Sequence, residues 1–330
     1  MFGVWKYRES KKPDVKLMVE FRGMTMGVIP YKVMYRHEDG LNLNDKVDSL
    51  LNAWNQSMST YIPDSEISRF NRDSCFTFES PYFLPVLSSS KIVFENTGGA
   101  FDPTVGPLVN AWGFGPDDPN YPDSSMVDSL RNFVGFDKIF FDEKGLCKSS
   151  RGVQLDFSAI AKGYAVDVVA DFIKSFGIEN LLVEIGGELI CFGDKGGNIP
   201  WVVGIEDPEV EIDEQLLLAK VRLRDMAMAT SGNYRNYYIK EGIKYSHTID
   251  PASGYPVQRN ILSATVFAND CMTADAYATA FMVLGIESAK DILQKNKNID
   301  AFFVYSEDNG SISNFSTHRV KELIETVDGQ

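Results

Sequence analysis

Two oxygen-bearing side chains, Asp275 and Thr279, lie four residues apart in a segment whose pattern predicts a helix over 273–284. Residues at this spacing lie on one face of a helix, so their oxygens can converge on one point. A carboxylate and a hydroxyl together suit a hard divalent cation such as Mg²⁺. The spacing also suits a structural pair, with Asp275 stabilised by the helix dipole and Thr279 bonded back to its own helix. Both interpretations stay open at this point.

Two further polar residues, Asp156 and His247, lie beside predicted element ends. Asp156 precedes a segment that predicts a helix over 158–176, and the free N–H groups at a helix start form an anion site. His247 lies between a predicted strand and the Asp250-Pro251 turn. An unperturbed histidine titrates at about 6.5, which suits a proton acceptor in general base catalysis. Plain capping by Asp156 and a purely structural His247 are the alternatives.

The composition narrows the function classes. The chain has 330 residues, of which 44% are hydrophobic and 24% charged, as is typical of a compact globular protein. Its length fits two domains or one large domain of two lobes. The formal net charge of -14 repels a phosphate backbone, so we expect no nucleic-acid partner. No uncharged apolar run approaches the ~18 residues of a membrane helix.

The four cysteines lie far apart in the sequence, with no CxxC pair and no neighbouring histidine that would suggest a zinc site. Free cysteine is among the residue types most often buried in proteins. We therefore expect four buried free thiols, at Cys75, Cys147, Cys191 and Cys271.

The elements that must position these side chains come in mixed order. Hydrophobic periodicity and turn residues predict helices over 44–58, 81–97, 158–176 and 273–284. They predict a strand pair within 17–35, short strands in 137–156, a hairpin of 234–240 with 243–249, and strands over 180–185, 188–192, 201–206, 216–224 and 261–268. The absence of strict βαβ alternation favours an α+β fold with a mixed, largely antiparallel sheet in two intimately joined lobes.

Five segments combine small residues with isolated polar ones, in the order FRGMTMG (21–27), TGGAFDPTVGPLVNAWGFG (97–115), LDFSAIAKGYAVD (155–167), ATSGNYRNYY with YSHTIDPASGYPV (229–257), and TADAYATAFMVLG (273–285). With MSTYIPDSEISRFN (58–71), IGGELICFG (185–193) and WVVGIEDP (201–208), they resemble the ApbE-like flavin transferases, the FAD:protein FMN transferases. The resemblance runs from about Phe21 to Gly285. It leads us to expect an N-terminal extension over 1–20 and one two-lobed transferase domain over 21–330.

The resemblance implies an enzyme that binds FAD, splits its pyrophosphate with Mg²⁺, and joins the FMN phosphate to a Thr or Ser hydroxyl of a target protein, releasing AMP. The implied targets are flavin-carrying subunits of redox pumps that resemble the sodium-translocating NADH:quinone oxidoreductase (NQR) or the related RNF complexes. The positions implied to contact FAD are Met26, Ala100, Phe101, Asp102, Asp156, Lys162 and Ile249. Those implied to hold the metal are the carbonyl of Ala159 and the side chains of Asp275 and Thr279. We assign catalytic roles to Asp275 and to His247, the latter as the proton acceptor.

These implied roles agree with the chemistry of phosphoryl transfer, which depends on positioning and on neutralising charge at the phosphoryl oxygens. In an acidic protein, the metal and Lys162 would supply the attraction that a pyrophosphate needs. Lys162 and Asn233 occupy places where relatives differ, so neither side chain is assigned essential chemistry. Some relatives have an Asp as a third metal ligand where this chain has Ala278, which predicts a somewhat weaker metal site.

Two other functions fit the same residues. A FAD pyrophosphatase would use water in place of the target hydroxyl and release free FMN and AMP. A flavin-binding or delivery protein would have no turnover, and the pairing of Asp275 with Thr279 argues against it, because a passive binder has no need of a metal pair.

The start of the sequence, MFGVWKYRESKKPDVK, has no apolar core of an export signal and no lipoprotein-type cysteine. We expect the protein on the periplasmic side of the cell envelope, with an export signal absent from this sequence and membrane association only through a partner or a removed anchor. A cytoplasmic location is the alternative.

Overall fold

The computed structural model describes residues 16–116, 121–208, 216–233, 237–240 and 243–326. Its strands are β1 (Leu17–Thr25), β2 (Ile29–His37), β3 (Cys75–Thr77), β4 (Ile139–Phe141), β5 (Gly145–Lys148), β6 (Leu181–Ile185), β7 (Glu188–Phe192), β8 (Trp201–Glu206), β9 (Leu217–Leu223), β10 (Met226–Gly232), β11 (Tyr237–Lys240), β12 (Ile243–Ser246), β13 (Ile261–Ala268), β14 (Asp300–Ser306), β15 (Ile312–Ser316) and β16 (Ile324–Thr326). Its helices are α1 (Asn44–Met58), α2 (Glu66–Arg72), α3 (Phe83–Asn96), α4 (Gly106–Ala111), α5 (Ser124–Arg131), α6 (Ala161–Lys174), α7 (Cys271–Leu284), α8 (Ile286–Lys295) and α9 (His318–Leu323).

The centre of the fold is an eight-stranded sheet in the order β1-β2-β6-β7-β10-β13-β14-β15, in which every neighbouring pair is antiparallel. Two three-stranded sheets, β16-β9-β8 and β3-β5-β4, and the β11-β12 hairpin accompany it. The prediction of an α+β fold with a largely antiparallel sheet is therefore confirmed.

The two faces of the large sheet carry different cores, because side chains alternate along a strand. Val33, Val183 and Ala229 lie on the face covered by helices α6 and α7. Leu182 and Met228 lie on the opposite face, where they pack with Trp201 of the small β16-β9-β8 sheet. Helix α7 is buried on nearly all sides, and its alanines let neighbouring backbones approach closely.

Three predicted helix starts differ from the structure. Helix α3 begins at Phe83 and not at 81, because residues 80–82 form a separate turn in which the Ser80 hydroxyl accepts the N–H of Tyr82 at 3.2 Å and contacts Ser57 and Glu66. Helix α6 begins at Ala161, because the Asp156 carboxylate accepts the N–H of Ser158 at 2.7 Å and forms a separate turn. The predicted helix start near 158 is therefore wrong.

Helix α7 begins earlier than predicted, at Cys271, because the Asp270 side chain accepts the N–H of Thr273 at 2.8 Å as an N-cap. The prediction of 44–58 coincides with α1. Strands β4 and β5 confirm the prediction of short strands within 137–156. No helix in the described ranges has the length and apolar character that a membrane span requires.

Parts of two predictions lie outside the described residues. Of the predicted hairpin of 234–240 with 243–249, residues 234–236 and 241–242 are not described; β11 and β12 pair with each other, and β12 ends at Ser246 instead of 249. Of the expected extension over 1–20, residues 1–15 are likewise not described. Residues 17–20 belong to strand β1.

The cysteine prediction is half wrong. Cys75 and Cys147 form a disulfide across the antiparallel β3-β5 pair, where they stand directly opposite each other with a Cα–Cα distance of 4.0 Å. Cys191 and Cys271 are buried free thiols, as predicted. The 72-residue separation of the disulfide partners explains the error, because only the sheet register brings them together.

Candidate functional site

A cleft of about 480 Å³ lies between the start of α6, one side of α7, the start of β7 and two loops. This volume is within the range of cofactor pockets. Ten of the residues singled out from the sequence line it: Ala100, Phe101, Asp102, Asp156, Ala159, Lys162, His247, Ile249, Asp275 and Thr279. The structure therefore brings together residues that lie far apart along the chain.

The floor of the cleft holds three charged side chains, Lys162, Glu188 and Asp275, which we call the acidic cluster. Lys162 Nζ lies 2.7 Å from Glu188 Oε1. Asp275 is 3% exposed and its Oδ2 accepts the N–H of Gly163 at 2.9 Å. Glu188 is also buried, and its Oε2 has no hydrogen-bond partner among the described residues. Two carboxylates thus share one ammonium group in a buried place.

The charges of the acidic cluster shift one another's protonation. Burial and then the negative charge of Glu188 raise the pKa of Asp275, against the lowering effects of Lys162 and the Gly163 N–H. Burial alone would lower the pKa of Lys162, but the carboxylates of Glu188 and Asp275 outweigh it and raise that pKa. The cluster is therefore short of positive charge.

The donor set of the cluster suits a hard cation. The orphaned Glu188 oxygen and the Asp275 carboxylate are anionic oxygen donors, and the Thr279 hydroxyl lies on the same side of α7. Thr279 Oγ1 is 3.1 Å from Ser231 Oγ of strand β10. Across the described ranges, no group of three or more His, Cys, Asp or Glu side chains forms a complete metal cage. Mg²⁺ does not need one, because it keeps several waters and substrate oxygens as ligands.

Helices α6 and α7 hold Asp275 in place through reciprocal contacts. The Asp167 carboxylate of α6 accepts the N–H groups of Cys271 and Met272 at the start of α7, each at 2.8 Å. In return, Asp275 of α7 accepts the N–H of Gly163 near the start of α6. A Cβ on Gly163 would lie 2.2 Å from the Cys271 carbonyl oxygen, so only glycine permits this approach.

One wall of the cleft is a loop around Asp102, which is buried. Its Oδ1 accepts both the N–H of Thr104 at 2.8 Å and the Thr104 hydroxyl at 2.6 Å. Burial raises the pKa of Asp102 to about 6, and the Thr104 bonds only partly oppose this. The N–H of Asp156 donates to the Pro103 carbonyl at 2.8 Å, which ties the two predicted FAD-contacting loops together.

A second wall of the cleft is formed by the loop that carries His247 and Ile249. Ile249 is buried in a small core with Leu108 and Trp112. The Trp112 indole N–H donates to the Gly254 carbonyl at 2.9 Å and so fixes the returning part of this loop. His247 contacts the ring of Phe114 edge to face, with centroids 6.4 Å apart.

Met26 is the one predicted site residue that does not line the cleft. It lies with Gly27 in the turn between β1 and β2, where both residues have positive φ values of 48° and 84°. A non-glycine residue in this conformation is uncommon and marks a constrained turn. Val28, next along this turn, is a cleft residue and is largely exposed.

Three features of the cleft were not predicted from the sequence: Glu188, Ser231 and the bonds from Asp167 to the start of α7. Glu188 lies within the quoted segment 185–193, yet a single glutamate after a Gly-Gly turn carries no distinctive signal. Its contact with Lys162 and its closeness to Asp275 depend on tertiary packing. The resemblance supplied most of the other cleft residues.

The family model described as "ApbE family" matches residues 24–303. A FAD:protein FMN transferase of Vibrio cholerae is 39% identical over 303 residues, which cover 88% of this chain and 89% of the relative. One of Haemophilus influenzae is 36% identical over 323 residues, covering 94% and 92%.

A solved structure shows the same likeness in three dimensions. The flavin transferase ApbE from Vibrio cholerae superposes with a TM-score of 0.84 at 37% identity, covering 93% of this chain and 99% of that one. Sequence, family model and fold agree over most of the chain, and the chain belongs to the ApbE family.

Proposed function

We propose that this protein is a FAD:protein FMN transferase that moves FMN from FAD to a Thr or Ser hydroxyl of an acceptor protein. The single observation that carries the proposal is the buried acidic cluster at the floor of a cofactor-sized cleft in a chain of this family. Its relatives are named for this activity.

The reaction exchanges one phosphorus–oxygen bond for another. The acceptor hydroxyl oxygen attacks the phosphorus on the flavin side of the FAD pyrophosphate, and a new ester bond forms. The bond from this phosphorus to the bridging oxygen breaks, and AMP leaves with that oxygen. The hydroxyl proton passes to a base, a role that we assign to His247 because it borders the same cleft as Asp275 and Thr279.

The acidic cluster requires a cation if the cleft is to accept FAD. Two buried carboxylates repel a pyrophosphate, and Lys162 supplies only one positive charge against them. We infer that Asp275, Thr279 and the carbonyl of Ala159 hold Mg²⁺. When bound, Mg²⁺ would neutralise charge on the phosphoryl oxygens.

The other residues of the cleft are assigned to FAD binding. Ala100, Phe101, Asp102, Asp156, Lys162 and Ile249 line it, and Met26 occupies the neighbouring turn. The half-buried Lys162 is the cation that would attract the pyrophosphate, and its contact with Glu188 fixes its position.

We further propose that the acceptors are flavin-carrying subunits of redox pumps of the NQR or RNF type, and that the protein works outside the cytoplasm. The Cys75–Cys147 disulfide supports that location, because disulfides persist in oxidising compartments and are rare in the reducing cytosol.

The test is incubation of the protein with FAD, Mg²⁺ and a purified acceptor domain, followed by intact mass and AMP measurement. A gain in acceptor mass equal to FMN, with one AMP per label, supports transfer. AMP release without the mass gain would identify a FAD pyrophosphatase. FAD binding with neither product would identify a flavin-binding protein. When Mg²⁺ is omitted and a chelator is added, neither AMP nor labelled acceptor should form.

A further inference from the structure

The end of strand β10 lacks a neighbouring strand on one side. β10 pairs with β13 from Ala227 to Gly232, but with β7 only from Met226 to Met228. No strand of the described ranges lies beside the remainder on the β7 side. The burial pattern changes accordingly, since the first four residues of β10 are buried and the last three are partly exposed. We call residues 230–232 the β10 edge.

The backbone of the β10 edge points its polar groups toward the open side. The N–H of Asn233 donates to the Leu262 carbonyl at 3.3 Å, so Asn233 faces β13. Successive residues of a strand face opposite neighbours, and Ser231 therefore also faces β13. Thr230 and Gly232 face the β7 side, where the described residues provide their backbone with no partner. Such an edge is a template for another strand.

The two faces of the β10 edge lead into two different cavities. Ser231 lies on the face of α7 and contacts Thr279 in the cleft. On the opposite face is a second cavity of about 270 Å³, lined by Trp201, Met228 and other residues of both sheets. Thr230, Gly232 and Gly186 border both cavities.

We propose that the β10 edge binds an extended segment of the acceptor protein as an added antiparallel strand, which delivers the acceptor hydroxyl to Thr279. The inference rests on the proposed function and names how its protein substrate is recognised. Main-chain pairing with an exposed edge is a recurrent mode of peptide binding. The proposed direction is that of β7, in whose line the segment would lie and which is antiparallel to β10.

Pairing with the β10 edge would determine which acceptor side chain enters the cleft. Residues directly opposite each other on paired strands point to the same face, with Cβ atoms about 5 Å apart. The acceptor residue opposite Ser231 would therefore point into the cleft beside Thr279. The residues before and after it would point into the second cavity, beside Trp201 and Met228.

A substitution at Thr230 tests the pairing. Thr230→Pro removes the N–H that faces the open side and leaves the hydrogen bonds to β13 intact, because position 230 does not use its N–H there. Thr230→Val is the matched control, since it also loses the side-chain contact with Thr265 but keeps the N–H. We expect the KM for the acceptor to be at least about fivefold higher for the proline variant than for the valine variant, the scale of one lost backbone hydrogen bond. The dissociation constant of FAD should be the same in both.

A second measurement uses the unmodified enzyme and does not depend on the folding of a variant. The probes are synthetic peptides that span the labelled residue of the acceptor domain. Each peptide carries one N-methyl group on its backbone, at a different residue in each peptide. Methylation at either neighbour of the labelled residue should weaken binding, because those N–H groups face β10. Methylation at the labelled residue itself should be tolerated. A parallel strand would give the opposite pattern.

The outcomes separate this inference from the proposed function. An alternating methylation pattern together with the Thr230→Pro effect supports the added strand. Two results would overturn the added strand and leave the transferase proposal intact: acceptor labelling with equal KM values for the proline and valine variants, or tolerance of methylation at every position. No labelling of any acceptor by the wild type would overturn the proposed function and this inference with it.

Discussion

Removal of the Cys75–Cys147 disulfide by the double substitution Cys75→Ser and Cys147→Ser should lower stability strongly. The bond joins residues 72 positions apart. A cross-link that closes a loop of this length restricts the unfolded chain by about 4 kcal/mol at 25 °C in the chain-entropy relation. The β3-β5 pair has only three residue pairs, and Cys75 is exposed, so local packing compensates little.

FMN transfer should survive this change in the folded protein. The buried Lys148 ammonium donates to the carbonyls of Phe70, Asn71 and Val153 at 2.8–3.0 Å. The Asn71 side chain in turn accepts from the Leu155 N–H and donates to the Leu155 carbonyl. These bonds hold the chain next to Asp156 without help from the disulfide. We therefore expect nearly unchanged transfer below the unfolding transition.

The assay is urea unfolding of the oxidised wild type, the double variant, and the wild type with dithiothreitol. The last two should both lose about 3–4 kcal/mol of unfolding free energy relative to the first. A Cys191→Ala variant is the control, because Cys191 is a buried free thiol and its replacement should leave the response to dithiothreitol in place. Thiol titration of the unfolded, unreduced wild type should give two groups. Four groups, or equal unfolding free energies with and without reductant, would refute the reasoning.

The other predictions concern the cleft. Asp275→Ala should reduce AMP release and acceptor labelling by more than about 10²-fold, whereas Ala159→Ser should be far milder because a backbone carbonyl survives the change; similar losses in both would contradict the metal assignment. His247→Asn should reduce transfer by about 10²-fold with FAD affinity retained in a titration, and an unchanged rate would return His247 to a structural role. Gly163→Ala should lower unfolding free energy by about 1–3 kcal/mol in urea, because its Cβ would meet the Cys271 carbonyl. Burial opposes ionisation of Asp102, so the unfolding free energy of the wild type falls as pH rises from about 4 to about 6. Asp102→Asn avoids this loss, so at pH 7.5 the variant should be up to about 3 kcal/mol more stable than the wild type, with weaker FAD binding. Equal stability of the two proteins at pH 7.5 would contradict the raised pKa of Asp102.

Much of the fold could be predicted from local patterns. The period-2 and helical spacings placed α1 at its observed bounds and located five of the eight strands of the large sheet, but not β10, β14 and β15. Helix starts were less accurate, because a cap depends on which side chain takes the N–H groups. Asp270 caps α7 three residues before the predicted start at 273, and the Ser80 hydroxyl contacts Glu66 and the Tyr82 N–H in a turn that precedes α3.

The contacts that assemble the cleft could not be predicted from local patterns. Gly163 and Asp275 are 112 residues apart, and Asp167 meets Cys271 across 104 residues. The local sequence of each segment does not indicate its partner, because such pairs are determined by the packing of α6 on α7. The disulfide was missed for the same reason, because the register of β3 against β5 decides which thiols face each other.

The packing that fixes Asp275 also determines how stability and substrate binding are coupled. Asp275 cannot swing away from Glu188 without breaking its bond to the Gly163 N–H, and α7 cannot shift without breaking the bonds from Cys271 and Met272 to Asp167. The fold therefore keeps two buried carboxylates together at a cost in free energy. A bound cation would relieve this cost only in the folded state, because the unfolded chain separates the two groups. Mg²⁺ with FAD should then raise the unfolding free energy of the wild type, and the increase should be largely lost in Asp275→Ala, as urea titrations with and without both ligands would measure.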